Sequence, residues 1–561
     1  MTRKIFLNAC VYCLFLISAC MYFLGIWWGL PSNQTKKFYG FDVAVSKEYI
    51  KKSWEISKSF SSEKLPRSVF NPIRSFHPDE HNILKSISSM NPEKFDFNPH
   101  FFEYPTGQIY LIALFLKVSS ELNIVHLQPD IEYYFDHPDE MAKIYIAGRL
   151  LTASMALAGL IIFYRLILMI YSNIFSALLA TMCLAFTPVY SINAHYMTVD
   201  VPMVFWIIVS MYFAFLYIQQ RKLFFLFLSA LCTGIAAGTK YPAGIFVFLF
   251  PLILFYTNTG SVRRFFNLTL VCCIIFFSAF FLTTPYSILS FGEFKRDLFY
   301  QAAARGLGSL NLFSYIRFLP DTLSALRTGC LWIVLLYIAG LIVAIKKRQI
   351  SEKFLLSGFL LSIIPIFACG GFKYTRYYLI MLPFLAAITG KLFEEIFKLK
   401  SGALRLLLIF GCITAVLSGL IKSTAYTRLM TENRDVRIIA AECIEKDIPY
   451  GTTIIYTKDP WVFEVPPVSP LKYNLLVIPE HALANAPSKS FLIIGELQYF
   501  LTSGNRKYLM QRKIRMIEQK GFKLKEIFIR YPCAGPFSFD QYWTIHDMLY
   551  THPAILLFYK P

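Results

Sequence analysis

Residues 201–218 read VPMVFWIIVSMYFAFLYI, a stretch without a single charged side chain. An α-helix needs about 20 predominantly apolar residues to cross the roughly 30 Å hydrocarbon core of a bilayer. Asp200 lies directly before this stretch, and Arg221 and Lys222 follow shortly after it. An apolar run with charges only at its ends predicts a transmembrane helix.

The composition extends this pattern to the whole chain. Of its 561 residues, 56% are hydrophobic and only 16% are charged, which gives a mean hydropathy of +0.50. The apolar runs predict about eleven spans, several of them short for the bilayer. Their approximate positions are 5–30, 143–170, 173–192, 201–218, 223–239, 242–257, 266–285, 323–345, 354–371, 377–395 and 403–421. The fold class is therefore an α-helical polytopic membrane protein.

The net charge of +20 fits this class. Lysine and arginine concentrate at cytoplasmic helix ends, where they meet anionic lipid headgroups, so the charge does not indicate nucleic acid. With the N-terminus inside, every loop expected in the cytoplasm is basic. The residues concerned are Arg165, Arg221, Lys222, Arg263, Arg264, Lys346, Lys347, Arg348, Lys391, Lys398 and Lys400.

This orientation predicts two domains. Residues 1–421 form a transmembrane domain with a long first outer loop at 31–142. Residues 422–561 form a soluble extracytoplasmic α/β domain. We expect a multi-pass protein of the bacterial cytoplasmic (inner) membrane, with its active site and C-terminal domain on the outer, periplasmic face.

Local patterns refine both extracytoplasmic parts. In the first loop, residues 47–60 fit an amphipathic interfacial helix, and residues 107–118 fit a helix embedded at the outer surface. In the tail we predict strands at 453–456, 491–495 and 554–559 and helices at 436–444 and 506–519. Cys443 and Cys533 lie in this tail and could form a disulfide there.

The first outer loop also carries a short acidic motif, His77-Pro78-Asp79-Glu80. Two adjacent carboxylates at a membrane surface suit a site that accepts a proton. Acids in the first turn of a helix also favour its dipole regardless of function. The same four letters recur as His137-Pro138-Asp139-Glu140. In this second copy, Asp136 as N-cap and Pro138 in the first turn of a helix nearly account for the motif. We therefore prefer the copy at 77–80 as the functional one.

Other charged residues lie at helix ends on the same predicted face. Asp200 opens the fourth span, Lys240 closes the fifth, and Lys373, Arg376 and Tyr377 open the tenth. Together with Asp79 they could form a site in which a carboxylate takes a proton and cations bind an anionic leaving group. Each also has a structural interpretation: helix cap, snorkelling lysine or interfacial anchor.

The ordered set of motifs resembles the multi-spanning, lipid-carrier-dependent glycosyltransferases of the GT-C superfamily. Within it, the chain resembles the protein mannosyltransferases that use dolichyl-phosphate mannose and the bacterial aminoarabinose transferases of lipid A. The resemblance covers roughly residues 1–400. It is carried by Phe76-His77-Pro78-Asp79-Glu80, Tyr104-Pro105, Arg149, Asp200-Val201-Pro202, Thr239-Lys240, Arg376-Tyr377-Tyr378 and Pro383.

The resemblance implies transfer of a sugar from a polyprenyl-phosphate donor to a hydroxyl of a protein, lipid or glycan acceptor. It makes Asp79, with Glu80 beside it, the general base or part of a metal-assisted site. A divalent metal, held by Asp79 and Asp200, is the one cofactor it implies. Lys240, Arg376 and Tyr377 would face the donor phosphate. His77, Tyr104, Asp200 and Arg149 would support the substrate or the metal.

A structural or assembly membrane protein whose charges are only interfacial is one competing interpretation. The main one is a transporter or flippase for a polar or lipid-linked substrate. It would more naturally show repeated halves with paired broken helices, and the sequence shows no such repeat. The chain also has no glycine-rich phosphate loop between a strand and a helix. A lipid-carried donor is consistent with that, since it needs no nucleotide-binding domain.

Overall fold

The computed structural model describes residues 2–40, 71–258, 260–304, 312–347, 349–369, 374–432, 434–500 and 503–561. The helix predicted at 47–60 and Lys373 lie outside the described residues. The chain folds into two compact units with interleaved boundaries. The first comprises Met1–Phe23, Ser89–Ala113 and Leu150–Thr424, and the second Leu24–Ser88, Leu114–Arg149 and Ala425–Pro561. The domain boundary at 421/422 stays a prediction.

Most of the described chain is helical. The N-terminal half contains α1 (Thr2–Phe23), α2 (Asn33–Tyr39), α3 (Glu80–Ser88), α4 (Gly107–Glu121), α5 (Ile131–Asp136), α6 (Pro138–Tyr171), α7 (Ile174–Ala185), α8 (Pro188–Asn193), α9 (Asp200–Gln220), α10 (Leu223–Thr239), α11 (Leu249–Tyr256) and α12 (Val262–Thr283). Then follow α13 (Tyr286–Leu289), α14 (Phe291–Ala304), α15 (Leu312–Lys347), α16 (Ile350–Ala368), α17 (Leu382–Phe397), α18 (Gly402–Thr431) and α19 (Val436–Asp447). Two 3-10 segments, Tyr241–Phe248 and Thr375–Met381, lead into α11 and α17.

Seven helical segments are long and apolar enough to cross a membrane, and three shorter apolar ones accompany them in the described parts of the chain. Together with the small C-terminal sheet domain, they confirm the predicted fold class of a multi-pass α-helical membrane protein. Helices α6, α9, α12 and α16 account for four of the seven segments.

Several predicted spans are shortened or interrupted at a glycine, a proline or a residue with a non-helical backbone. The first was predicted to reach residue 30, but α1 ends at Phe23, and Gly25 follows with a left-handed φ of 89°. The third ends at Ala185, and Pro188 opens the separate helix α8. Helix α15 has an extended residue, Cys330, with φ 179° and ψ 109° at its kink.

In the first unit, helices α9, α10 and α12 pack side by side. Glycines allow this approach: a methyl group at Gly234 of α10 would lie 2.6 Å from Cβ of Ala279 in α12. Side-chain caps fix helix starts, as where Asn173 accepts backbone N–H bonds from Phe175 and Ser176 at the start of α7. These contacts hold the helices closely together.

In the second unit, a five-stranded mixed sheet has the order β2-β1-β3-β9-β5. The tail's elements are β1 (Thr453–Tyr456), β2 (Asn474–Val477), β3 (Ser490–Gly495), α20 (Glu496–Tyr499), β4 (Ser503–Asn505), α21 (Arg506–Glu518), β5 (Lys523–Phe528), β6 (Cys533–Ala534), β7 (Phe537–Ser538), β8 (Trp543–Ile545) and β9 (Ile555–Lys560). Strands β1, β2 and β3 run parallel, and β9 is antiparallel to β3 and β5.

The two faces of this sheet bury separate apolar clusters. Val436, Ala440 and Ile444 of α19 cover one face, and Ile517 of α21 packs on the other. The three predicted strands and two predicted helices of the tail are confirmed. The disulfide prediction is wrong, because Cys443 and Cys533 are free thiols.

Candidate functional site

The predicted site residues fall into two groups, one in each compact unit. The second unit holds His77, Asp79, Glu80 and Arg149, which we call the first-loop group. The first unit holds Tyr104, Asp200, Lys240, Arg376 and Tyr377, which we call the helix-end group. Each group is described within its own unit.

Glu80 and Arg149 of the first-loop group form a buried, bidentate ion pair. Nε and Nη2 of Arg149 donate to Oε1 and Oε2 of Glu80 at 2.8 and 2.7 Å. Nη1 of Arg149 donates to the carbonyl oxygens of Ile26 and Trp28 at 2.6 Å each, and the Ser75 hydroxyl donates to Glu80 at 2.5 Å. Both ionic side chains are fully buried. The pair thus joins helix α3 to helix α6 and to the turn after α1.

The charge of Arg149 keeps Glu80 ionised. Burial raises the pKa of the Glu80 carboxyl, but the Coulomb attraction and hydrogen bonds of Arg149 outweigh it, so the pKa is lowered overall. Both carboxylate oxygens are engaged, and neither reaches solvent. The arrangement suits a residue that positions the first loop, and it distinguishes Glu80 from its neighbour.

Asp79 lies directly before helix α3 and is partly exposed. Its backbone N–H donates to Nδ1 of His77 at 3.3 Å, and its carbonyl accepts from Asn82 at 3.2 Å. The His77 ring is almost fully buried and packs edge-on against Tyr550 at 5.3 Å. His77 therefore shapes the backbone at Asp79, which leaves Asp79 as the more accessible carboxylate of the motif.

The second copy of the motif has partners that explain it structurally. The amide of Asn33 donates to Asp139, and Lys143 pairs with Glu140 at 2.7 Å. Pro138 is the first residue of α6, as predicted. The prediction of Asp136 as N-cap is wrong: Asp136 ends helix α5 and pairs with Lys36 at 3.5 Å, because His137 separates it from α6.

In the helix-end group, Asp200 and Lys240 form a second buried ion pair. Asp200 is the first residue of α9, and Lys240 directly follows α10. The ammonium group of Lys240 donates to the Asp200 carboxylate, and Lys240 and Asp200 are 5% and 3% exposed. The prediction that Asp200 caps its helix is wrong, because Val199 holds the N-cap position and the carboxylate binds Lys240. Lys240 does not snorkel to solvent.

Lys240, Arg376 and Tyr377 line one small cavity of about 20 Å³. The Lys240 ammonium lies over the Tyr377 ring at 5.6 Å, and the Arg376 guanidinium lies over the Tyr374 ring at 4.6 Å. The remaining lining is apolar and consists of Met203, Pro242, Pro365, Ile366, Cys369 and Ile380. The structure thus brings three predicted donor-binding residues together in a cavity that combines cationic groups with apolar walls.

Tyr104 lies in a segment that packs on α14. Its ring contacts Phe101 at 5.8 Å. Close by in sequence, Nδ1 of His100 lies 3.0 Å from Glu293, and Nδ2 of Asn98 donates to Ser290 at 3.1 Å. The sequence analysis missed Glu293 because it placed no helix between the predicted spans at 266–285 and 323–345. The mixture of aromatic and charged residues in 291–304 was the signal for a helix there.

The residues present do not fit the implied divalent metal. Across the described parts of the chain, no group of three or more His, Cys, Asp and Glu side chains is placed to hold a metal ion. Asp200, one of the two proposed ligands, is bound by the Lys240 ammonium, which would repel a cation at the same carboxylate. The chemistry proposed for this site is therefore derived from the side chains alone.

Part of the chain matches a known protein family. Residues 110–288 match the family model of dolichyl-phosphate-mannose-protein mannosyltransferases. The matched segment includes Arg149, Asp200 and Lys240. The resemblance to GT-C glycosyltransferases drawn from the sequence motifs is confirmed. A comparison with curated protein sequences finds no match.

A comparison with solved structures finds glycosyltransferases at low similarity. The S. cerevisiae protein O-mannosyltransferase Pmt1–Pmt2 complex bound to the sugar donor is 16% identical, with 47% of this chain and 36% of that chain covered and a TM-score of 0.30. ArnT from Cupriavidus metallidurans bound to undecaprenyl phosphate is 13% identical, with 98% and 97% covered and a TM-score of 0.43. The mycobacterial arabinofuranosyltransferase AftD is 11% identical, with 92% and 42% covered and a TM-score of 0.37. The chain spans about a third of the length of the mannosyltransferase chain. These identities and scores are too low to assign an activity.

Proposed function

We propose that this protein is a glycosyltransferase that moves a sugar from a polyprenyl-phosphate donor to a hydroxyl group of an acceptor. The match of residues 110–288 to a mannosyltransferase family supports the reaction class. The multi-pass helical fold supports a donor that is carried in the membrane. The acceptor is a protein, a lipid or a glycan, and the proposed face is the outer side of a bacterial inner membrane.

The observation that carries the proposal is the cavity at Lys240, Arg376 and Tyr377. Its lining combines two cationic side chains with prolines and aliphatic residues. A lipid phosphate has the matching chemistry, since an anionic head is joined to a long apolar chain. The Lys240 ammonium pairs with the Asp200 carboxylate, and the Arg376 guanidinium, whose planar fork can bind a phosphate through two parallel hydrogen bonds, lines the same cavity. We therefore assign Arg376 the main contact to the donor phosphate.

The transfer proceeds by direct displacement with inversion. The acceptor oxygen forms a bond to the anomeric carbon while the bond from that carbon to the phosphate oxygen breaks. The lipid phosphate leaves with the electron pair, and positive charge from Arg376 and Lys240 stabilises it. The acceptor proton passes to a carboxylate, for which Asp79 is the proposed general base. No covalent enzyme intermediate is required.

The test is donor consumption by the purified protein. A panel of radiolabelled polyprenyl-phosphate sugars is supplied with membrane extract as acceptor. Wild type is compared with Arg376→Gln and with Arg264→Gln, an exposed control arginine on α12. We expect Arg376→Gln to lower kcat/KM by about a hundredfold or more, since it removes a charge that stabilises the leaving phosphate. Arg264→Gln should match wild type.

Two results would overturn the proposal. If wild type consumes no donor in the panel, or moves a donor across the bilayer without cleaving it, the transporter interpretation replaces the enzyme. Full activity of Arg376→Gln would remove the donor assignment of the cavity. Product analysis of the anomeric configuration tests inversion separately.

A further inference from the structure

An open groove in the second unit lies on the sheet face that carries α19. It offers about 590 Å³ of space, which lies within the roughly 300–1,000 Å³ typical of small-molecule sites. Helix α19 ends at Asp447, and the chain then turns through Pro449 and Thr452, which line one wall. Beyond the end of the helix, the starts of β3 and β5 and the end of β9 form the floor. The groove therefore exists because α19 is too short to cover this face.

Three lysines and two aromatic rings dominate the groove. Its lining comprises Pro449, Thr452, Lys489, Phe491, Lys523, Leu524, Lys525 and Tyr559, with no carboxylate among them. The strand register explains the convergence, since Tyr559 of β9 pairs with Phe491 of β3 on one side and Lys523 of β5 on the other. All three lysines are exposed. This concentration of positive charge predicts an anionic ligand.

Two details hold the lysines toward the groove. The Lys525 ammonium lies over the Phe491 ring at 5.1 Å. Lys489 adopts a left-handed backbone with φ 58°, and its N–H donates to the Lys560 carbonyl at 2.8 Å. A left-handed conformation is unfavourable for a residue with a side chain, so the bond to β9 helps to fix this turn. The cations are thus placed by the sheet itself.

The lining favours a compact anion with an attached polar ring over a nucleic acid. Lysine ammonium groups bind phosphate as point charges. Single-stranded nucleic acid needs open aromatic faces on which successive bases stack, but Phe491 is 7% exposed and covered by Lys525. Tyr559 remains as one half-buried ring with a hydroxyl group. We propose that this groove binds a phosphate-bearing sugar.

The experiment measures binding by calorimetry with the full-length protein in detergent. The probe is glucose 1-phosphate, with glucose and inorganic phosphate as separate arms. Vesicles containing phosphatidylinositol phosphate form a further arm, which distinguishes a lipid headgroup from a soluble sugar phosphate. The groove variant combines Lys489→Gln, Lys523→Gln and Lys525→Gln. The control combines Lys446→Gln, Lys507→Gln and Arg512→Gln on the same domain, which removes the same formal charge.

We expect wild type to bind glucose 1-phosphate more tightly than glucose or inorganic phosphate. The groove variant should lose at least about tenfold in affinity, since three charge-assisted contacts are removed, whereas the control variant keeps it. Higher salt should weaken wild-type binding because the lysines are exposed. Unchanged thermal unfolding of the groove variant shows that the fold is intact.

Other outcomes reject the proposal. Absence of binding by wild type, or equal loss in the groove and control variants, would mean that the lysines on β5 only protect a sheet edge from pairing. Tighter binding of a single-stranded RNA oligonucleotide that is lost in the groove variant would assign the groove to nucleic acid. Binding is measured without a polyprenyl donor, so its failure leaves the proposed sugar transfer untouched.

Discussion

Asp79 and Glu80 are adjacent in the chain, yet their surroundings suit them to different tasks. Glu80 is fully buried and bound on both oxygens, whereas Asp79 is partly exposed at the start of α3. A general base must reach a substrate proton, which a buried and doubly bound carboxylate cannot do. Only one acid of the motif therefore has the access that catalysis requires.

Asp79→Asn tests this assignment against the second copy of the motif. We expect the substitution to lower kcat of sugar transfer by about a hundredfold to ten-thousandfold, the usual contribution of a general base. The matched variant Asp139→Asn should retain activity, because Asp139 is bonded to Asn33. The measurement is single-turnover donor consumption. Loss in Asp139→Asn alone would move the site to the second copy.

The pair of Glu80 and Arg149 predicts a defined pH dependence of stability. The pKa of Glu80 is lowered in the folded protein, so its stabilising contribution is complete above the ordinary value near 4.5. The contribution is lost as the pH falls through the lowered, folded-state pKa. We expect the unfolding temperature of wild type to fall in that acidic range.

The variant Glu80→Gln checks the origin of that fall. It leaves Arg149 buried without a counter-charge, which costs about 3–5 kcal/mol at neutral pH. Because Gln does not titrate, its unfolding temperature should change less than that of wild type between neutral and acidic pH. If the unfolding temperatures of the two proteins fall equally with pH, other carboxylates cause the loss of stability in acid.

At the scale of elements, close contact between α10 and α12 depends on glycine. A methyl group at Gly234 would meet the backbone of Phe276 and Cβ of Ala279, whereas one at Gly244 would have its nearest neighbour at 3.9 Å. Without a hydrophobic force between helices in lipid, such small residues provide the packing surface. The two glycines thus have similar sequence surroundings but different steric constraints.

Gly234→Ala should therefore destabilise the protein by about 1–3 kcal/mol, the usual cost of overpacking. Gly244→Ala is the matched control, and we expect a change smaller than about 1 kcal/mol. Thermal unfolding of the detergent-purified variants measures both. An equal effect of the two substitutions would contradict the close approach of α10 to α12.

Strand β5 was not among the strands predicted from the sequence. Its sequence, KLKEIF, alternates lysines and a glutamate with apolar residues, and the strand lies at the edge of the sheet. Edge strands often carry such charges, which weaken the apolar signal. The central strands β3 and β9 are strongly apolar, and their positions were predicted from the sequence.

At the scale of the whole molecule, Arg437 joins segments of the second unit that lie far apart in sequence. Its guanidinium donates to Asp435 at 2.7 and 2.6 Å and to the carbonyl oxygens of Phe463 and Tyr550 at 2.7 and 2.8 Å. It also lies over the Phe76 ring at 4.2 Å. The tail and the loop that follows the first span therefore share this one buried group.

Arg437→Met should lower the stability of the tail and of the loop after the first span together. It leaves Asp435 buried without its cation, which costs about 3–5 kcal/mol. We expect trypsin to cleave faster at Lys36 and Arg74 as well as in the tail. Mass spectrometry of the fragments identifies the cleavage sites. The control is Arg512→Met on the exposed side of α21. Cleavage confined to the tail would show that the first loop folds without Arg437.

The sequence by itself determined the membrane class, the approximate spans and the main strands of the tail. These features depend on the local density of apolar residues, which burial in lipid or in a sheet requires of each segment separately. The motifs also indicated which residues to consider for the site. Lys240, Arg376 and Tyr377 were named in advance and line one cavity.

Only the tertiary structure decided which charges neutralise each other. Lys240 pairs with Asp200, 40 residues away, and Arg149 pairs with Glu80, 69 residues away. Spacing along the chain does not specify such partners, because a buried charge is paired with whichever opposite charge the packing of the helices brings within reach. The same packing leaves Asp79 accessible while its neighbour Glu80 is buried.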